Sequence, residues 1–538
     1  MLSALIWLPL LGAGVIGLYP GQLNAARARL FALLTAIAIL VLTIVILSQF
    51  NLANPGLQMQ EFLPWLSTLG LNYSLAIDGL SLPMLVLSSI LTLVVASNGN
   101  LGLKEGQTLE RPRLFYSLLL LANAGLAGAF MAQNLLFFFL CYEVELIPFY
   151  LMIVIWGGVK REYAATKFLI YTALSGILIL AAFLGMNWLT HAASFEYNAI
   201  NTTNLATGTQ LILLTVLLLG FGIKIPLVPL HTWLPDAYVE SSAPVSILLG
   251  GLLSKLGTYG LIRFAVELFP ETWASVAPTM AVIGAISIMY GALAAIAQHD
   301  IKRMVAYSSI GHMGYVMLGI AALTPLSMVG AVSQMVSHGL ILAMLFYLVG
   351  IVESVVGTRE LEELNGLLNP IRGIPLTASL LVFASMASAG IPGMVGFIPE
   401  FLVFQGSYRT FPIQTLLAIL GTGLTAVYFV ILLNRTCFGR LDNFKAYYRR
   451  VTLQEHAPAL ALAVLILWLG IQPSWLVRWS EQTTTALVVS AFPGQTQIAQ
   501  KQLAQVPTIQ PPIAQTPIAQ TPIAQNLSHP SLPLPSKS

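Results

Sequence analysis

The feature that most constrains this chain is a succession of apolar runs separated by short polar stretches. About 20 apolar residues in a helix cross the hydrocarbon core of a bilayer. Runs of that kind fall at 3–20, 29–49, 80–98, 114–132, 134–156, 166–189, 209–229, 242–265, 277–297, 303–323, 327–351, 375–403, 413–437 and 457–475. Charged residues make up 8% of the 538 and hydrophobic ones 57%, and a soluble protein needs far more charge to cover its surface. Within lipid every backbone group must be satisfied inside its own segment, which leaves helices for runs this long. The chain is therefore expected to be an all-α polytopic membrane protein with about 14 transmembrane helices.

Between the runs, residues 50–79 form a longer loop, and the charged segment 353–372 is expected to include a short surface helix. Beyond about 480 the chain turns polar. Pro512-Ile-Ala-Gln-Thr516 recurs at 517–521 and again, as Pro-Ile-Ala-Gln, at 522–525; a proline-bearing repeat this short reads as an extended or disordered tail. The first apolar run lacks a basic segment before it, so it reads as an uncleaved helix. Gly12-Ala-Gly-Val-Ile-Gly17 fits a dinucleotide-binding spacing, but the strand and the later acidic residue that this reading needs are missing. Cys141 and Cys437 stand far apart in apolar surroundings, which argues against iron–sulfur or zinc sites. A net charge of +3 without a basic patch points to no nucleic-acid partner.

Basic residues set the expected orientation. Loops after odd-numbered helices carry Arg27, Arg29, Lys104, Arg111, Arg113, Lys160, Arg161, Lys167, Lys302, Arg303, Arg359, Arg372, Arg435, Arg440, Lys445, Arg449 and Arg450. Loops after even-numbered helices carry Arg263 and Arg409, and the tail carries Arg478, Lys501 and Lys537. Both termini are thus expected on the side away from the cytoplasm. Of the 24 basic residues this leaves Lys224 and Lys255, each more than one turn inside a span.

A lysine inside an apolar run is costly and marks a functional position. Lys224 precedes Pro226, Pro229 and Pro235, with His231 just beyond it; the prolines break helix 7 there. Helix 12 reads Ala389-Gly-Ile-Pro-Gly-Met-Val-Gly-Phe-Ile-Pro-Glu400, a second break followed by an acid. Helices 4–8 and 9–13 make two five-helix units, the odd count inverting the second, with helices 7 and 12 as the broken fourth member of each. Inverted repeats with matched breaks point to an ion pathway near the midplane. The expected organisation is 1–110 for helices 1–3, 111–268 and 269–440 for the two repeats, 441–480 for the helix 14 region and 481–538 for the tail. Glu143 and Glu145 in helix 5 point in different directions, so one of them is expected to tune Lys224, with Glu145 secondary. His312 in helix 10 and His338 in helix 11 are further candidates, each able instead to bond a carbonyl. His231 is either an access group or a cap. Burial favours a neutral lysine amine and a nearby carboxylate favours the ammonium, so Glu, Lys and His groups in series suit a proton relay.

At Lys224, at His231-Thr-Trp-Leu-Pro-Asp-Ala237, at Leu253-Ser-Lys-Leu-Gly-Thr-Tyr-Gly260 and at Asp300-Ile-Lys-Arg-Met-Val-Ala-Tyr-Ser-Ser-Ile-Gly-His-Met-Gly314, the chain resembles the antiporter-like subunits of respiratory complex I, over roughly residues 75–475. The resemblance implies a proton relay of Glu143, Lys224, Lys255, His312, His338 and Glu400. Glutamate at 400 is similar to the subunit 4 type, whereas paralogues carry lysine there. Many relatives have histidine where this chain has Tyr238. Glu61-Phe-Leu-Pro-Trp-Leu-Ser-Thr and Leu75-Ala-Ile-Asp-Gly-Leu-Ser-Leu-Pro83 resemble the cyanobacterial and plastid version, which implies a thylakoid membrane, both termini lumenal, and plastoquinone as electron acceptor.

The expected function is proton translocation by a membrane subunit of a multisubunit NAD(P)H- or ferredoxin-quinone oxidoreductase. No cofactor is expected on this chain; plastoquinone, the iron–sulfur clusters and the electron donor would sit in partner subunits. The implied partners are other membrane subunits, neighbouring antiporter-like ones included, and lipid. The rival readings are a subunit of a multisubunit Na+/H+ antiporter and a membrane scaffold with vestigial charges.

Overall fold

The computed structural model describes residues 1–21, 23–103, 108–438 and 447–491. Lys104, Arg440, Lys445 and the repeats of the tail lie outside the described residues. Among those described, the transmembrane runs fold as helices in the expected order: α1 Leu2–Leu18, α2 Ala25–Gln49, α3 Ser81–Ser97, α4 Pro112–Met131, α5 Leu135–Trp156, α6 Arg161–Thr190, α7 as the halves Thr207–Lys224 and Trp233–Glu240, α8 Ala243–Val266, α9 Pro270–Ile296, α10 Ile301–Ala322, α11 Pro325–Val356, α12 as the halves Pro375–Ser388 and Phe397–Ser407, α13 Pro412–Thr436 and α14 Leu453–Ile471. Eleven helices are long and apolar enough to cross a membrane, and α1, α3 and the first half of α12 are shorter apolar helices.

Three features depart from expectation. The loop 50–79 contains an antiparallel hairpin, β1 Gln58–Leu66 and β2 Leu71–Ile77. The segment 353–372 holds the end of α11 and a 3-10 turn, Pro370–Arg372, in place of a surface helix. The tail begins later than 481, because Ser474–Ala491 forms a further helix, α15, whose Leu476, Leu487 and Val488 are buried.

Burial sorts the helices. The most apolar window of α8 is wholly buried and that of α10 is 94% buried, whereas α2 and α14 bury only 28% and 33% of theirs and leave the rest on the outside of the bundle. α9 and α10 approach closely because they meet through glycine. A Cβ on Gly291 would lie 2.5 Å from the Gly311 backbone nitrogen, and one on Gly314 would lie 2.7 Å from the Gly284 carbonyl oxygen. That contact holds the backbone on either side of His312 against α9.

A candidate proton relay through the buried helices

Glu145, Lys224, Lys255 and Glu400 sit where their helices are interrupted, whereas His312 and His338 lie in continuous helices. In α5, Pro148 lacks the N–H that residue 144 would accept, and the helix splits at Glu145 into Leu135–Val144 and Leu146–Trp156. The split aims Glu145 inward. Glu145 and Lys224 are both fully buried, and the Lys224 ammonium contacts Glu145 Oε1. The Lys224 Nζ also stands 3.9 Å from the centre of the Tyr142 ring, and the Tyr142 hydroxyl lies 2.7 Å from Ser175 Oγ.

The carboxylate against Lys224 is therefore Glu145, and the pairing expected with Glu143 is corrected. Glu143 is half-buried, and its carboxylate rests against α6 at Gly176, where a Cβ would lie 1.9 Å from Oε1. A continuous helix would have favoured either acid; the break at Pro148 decides between them.

The first half of α7 stops at Lys224 because Pro226 and Pro229 follow. Carbonyls left open by the break find other donors: Trp233 Nε1 reaches Ile223 O at 2.8 Å and Ser175 Oγ reaches Gly220 O at 2.7 Å. α8 meets the lysine at Gly257, where a Cβ would lie 3.0 Å from Lys224 Cβ.

Lys255 occupies a short α-helical window, Ser254–Gly260, between π-helical turns at Leu249–Leu253 and Leu261–Val266. Such turns loosen the backbone register and often mark functional sites. Lys255 is fully buried; its Nζ contacts the Gly250 carbonyl and lies 2.8 Å from His338 Nδ1. The His338 and His312 rings stack obliquely with centroids 5.1 Å apart. His312 Nδ1 is 3.4 Å from Glu400 Oε1 and 3.3 Å from Gln334 Nε2, and its Nε2 is 3.1 Å from Ser388 Oγ. Glu400, 3% exposed, accepts from Thr422 Oγ1 at 3.0 Å, and Thr422 is 2.9 Å from the Tyr315 hydroxyl. The second break brings Glu400 into reach: α12 halts at Ser388, and Gly390 takes φ +72°, a left-handed conformation that suits glycine.

Lys255, His338, His312 and Glu400 thus form one buried polar series across α8, α11, α10 and α12. Lys224 and Glu145 form a separate pair one helix contact away. His231 lies apart from both, its ring 4.6 Å from that of Tyr290. Its Nδ1 has no partner among the described residues; burial, and after it Lys167, disfavours its protonated form. Tyr238, where many relatives carry histidine, is buried and donates to Leu249 O at 3.0 Å. Beside the second half of α7 a polar cleft of about 470 Å³ opens, with Lys160, Asp236, Glu240, Asp300, Arg303 and Arg359 in its lining.

Sequence reasoning missed Glu145 as the direct partner, and it missed Gln334, Ser388, Thr422 and Tyr315. Gln334 stands one helical turn before His338, a spacing that puts both on one face; the hydroxyls carry no comparable signal. Arg263, counted as a loop residue, is 5% exposed and ion-paired.

The transmembrane family described as NADH:quinone oxidoreductase/Mrp antiporter matches residues 132–425. NAD(P)H-quinone oxidoreductase chain 4 1 of Synechococcus sp. (strain JA-3-3Ab) is 41% identical, covering 93% of this chain and 95% of the relative. NAD(P)H-quinone oxidoreductase chain 4 2 of Thermosynechococcus vestitus is 39% identical, covering 93% of this chain and 94% of the relative. Among solved structures, a chain of respiratory complex I from Thermus thermophilus superposes with a TM-score of 0.81 at 28% identity, covering 91% of this chain and 99% of that one. A chain of the Mrp complex from Dietzia sp. superposes at 0.80 and 22% identity, with 93% and 98% covered, which is a likeness of fold. The chain is a multi-pass membrane protein and belongs to the antiporter-like transmembrane family shared by NADH:quinone oxidoreductases and Mrp antiporters.

Proposed function

We propose that this chain is the proton-translocating, antiporter-like membrane subunit of a quinone-reducing complex. The observation that carries the reading is the continuous series Lys255–His338–His312–Glu400, buried throughout. Lys224, paired with Glu145 and flanked by Glu143, takes up a proton near the break in α7. Lys255 passes it to His338, His312 and Glu400 in turn. Within the series from Lys255 to Glu400 each group stands beside the next, and a water bridge is needed between Lys224 and Lys255.

Quinone chemistry in partner subunits drives the cycle, and iron–sulfur clusters and the electron donor belong to those partners. The cyanobacterial relatives support plastoquinone as acceptor and the thylakoid as the membrane, and the distribution of basic residues supports lumenal termini. The breaks in α7 and α12 support two inverted repeats, helices 4–8 and 9–13, within the domain boundaries drawn from the sequence. The deciding measurement is proton flux per quinone reduced in the reconstituted complex carrying Lys224→Ala. Flux falls if the reading holds; unchanged flux removes it, and a flux that depends on sodium moves the chain to the antiporter class.

A further inference from the structure

The polar face of α8 continues beyond Lys255. Tyr259, Arg263 and Glu267 follow at four-residue steps; Arg263 meets both Tyr259 and Glu267, and Lys255 stands four residues, about 6 Å of helix, before Tyr259. This row leads from the buried lysine to the membrane face that carries the β1–β2 hairpin and the segment 191–206. Tyr259 is 1% exposed; its hydroxyl donates to Phe130 O at 2.9 Å, and its ring centre lies 5.6 Å from the Arg263 guanidinium carbon.

Arg263 contacts Asp78 and lies 3.2 Å from Glu267. The Tyr197 hydroxyl donates to Glu267 Oε2 at 2.5 Å. Asp78 is fixed by its bonds to the Leu80 and Ser81 backbone at the start of α3. Two carboxylates therefore face one guanidinium in a largely dry site, and the charge in excess is negative. A proton cancels it at no cost in packing, and an unpaired buried charge is otherwise expensive.

A second observation points the same way. Arg263 Nε is buried and has no acceptor among the described residues, so a donor remains for a water molecule at the inner side of the cluster. Of the two acids, Glu267 reaches solvent, with 15% of its side chain exposed against 3% for Asp78. Burial strengthens the hold of Glu267 on a proton, while Arg263 and Tyr197 weaken it and Asp78 strengthens it.

We propose that Glu267, held by Arg263, Asp78 and Tyr197, is the release group of a second proton branch that leaves Lys255 along α8 toward the hairpin face. The branch rests on the proton-translocation reading and diverges from it at Lys255, bypassing the histidines and Glu400. In the step itself the Lys255 ammonium gives up one proton, conducted by the Tyr259 hydroxyl and by water at Arg263. The Glu267 carboxylate takes it, leaving a neutral amine and a neutral acid. Loss of that proton to solvent restores the carboxylate, and Arg263 stays charged throughout.

The test uses the whole complex in vesicles, with proton flux per quinone measured for Glu267→Gln, Tyr259→Phe, Tyr197→Phe and Lys255→Ala. Glu267→Gln and Tyr259→Phe are each expected to lose part of the flux while quinone reduction continues. Tyr197→Phe removes a donor from the carboxylate, so the pH on the hairpin side at which flux is half-maximal shifts upward. An assembled Glu267→Gln complex with its full flux overturns the branch; if that variant does not assemble, full flux in Tyr259→Phe overturns it. Full flux in Lys255→Ala sinks the translocation reading itself, whereas loss there beside full flux in the other two sinks the branch alone.

Discussion

Glu145→Gln separates the two acids of α5. It keeps the volume and removes the charge that Lys224 contacts inside a pair whose side chains are 0% and 1% exposed. Removing one partner from a buried ion pair costs about 3–5 kcal/mol. The Tyr142 ring, 3.9 Å from Nζ, contacts the lysine in both variants and does not offset that loss. At about 1.4 kcal/mol per decade, a cost of about 3–5 kcal/mol is a penalty of roughly two to four decades on the arrangement around Lys224. Proton flux per quinone, measured by a pH dye in vesicles holding the assembled complex, is expected to fall by about a decade or more. Glu143→Gln removes a charge that rests against Gly176 and is expected to lower flux less. Normal flux in Glu145→Gln together with abolished flux in Glu143→Gln refutes the assignment of Glu145 as the partner of Lys224.

Other expectations follow from the same contacts. His338→Phe keeps a ring in the space but removes the nitrogen 2.8 Å from Lys255; flux per quinone should drop while the complex still assembles, and unaltered flux argues against the series. Gly291→Ala would place a methyl group 2.5 Å from the Gly311 nitrogen, forcing α9 and α10 apart beside His312, an overpacking cost of about 1–3 kcal/mol that thermal unfolding reads as a lower midpoint with flux lost alongside. At the hairpin, burial raises the Glu61 carboxyl, but its bonds to the Met1 amino group and Ser3 outweigh burial and hold it at about 2, below the ordinary 4.5. A depressed acid stabilises the fold above its ordinary value and loses that contribution as pH falls toward 2. The advantage of wild type over Glu61→Gln in unfolding midpoint should therefore be full at neutral pH and shrink below pH 4.5.

The helical runs were legible because lipid leaves an apolar chain few choices. Lys224, Lys255 and both breaks were legible because charge and proline are costly within such runs. The choice between Glu143 and Glu145 was not: the two face different ways around a helix, and which of those ways meets Lys224 depends on how α5 resumes after Glu145. Arg263 was hidden for another reason. The rule that assigns basic residues to loops is a rule of counting, and a residue at a helix end is scored as exposed whether or not acids from other segments close over it. Asp78 and Tyr197 reach it from far along the chain, and no local pattern announces that.

The two breaks hold their charges in different ways, and the difference suits a directed relay. At the first, Lys224 is met by a carboxylate and an aromatic ring within one cluster. At the second, Glu400 faces no lysine among the described residues; its neighbours are His312 and the Thr422 hydroxyl. Between them Lys255 contacts, among the described residues, the Gly250 carbonyl and His338 and no carboxylate. Among the described residues, Lys224 thus has an opposite charge in contact and Lys255 does not. A carboxylate introduced beside Lys255 would remove that difference. Gln334 is near enough to His312 for Gln334→Glu to add the charge one residue further along the series. The expected result is a trapped proton on the histidine pair and slowed flux with quinone reduction still possible; faster flux would mean that the unpaired lysine is an obstacle to transfer.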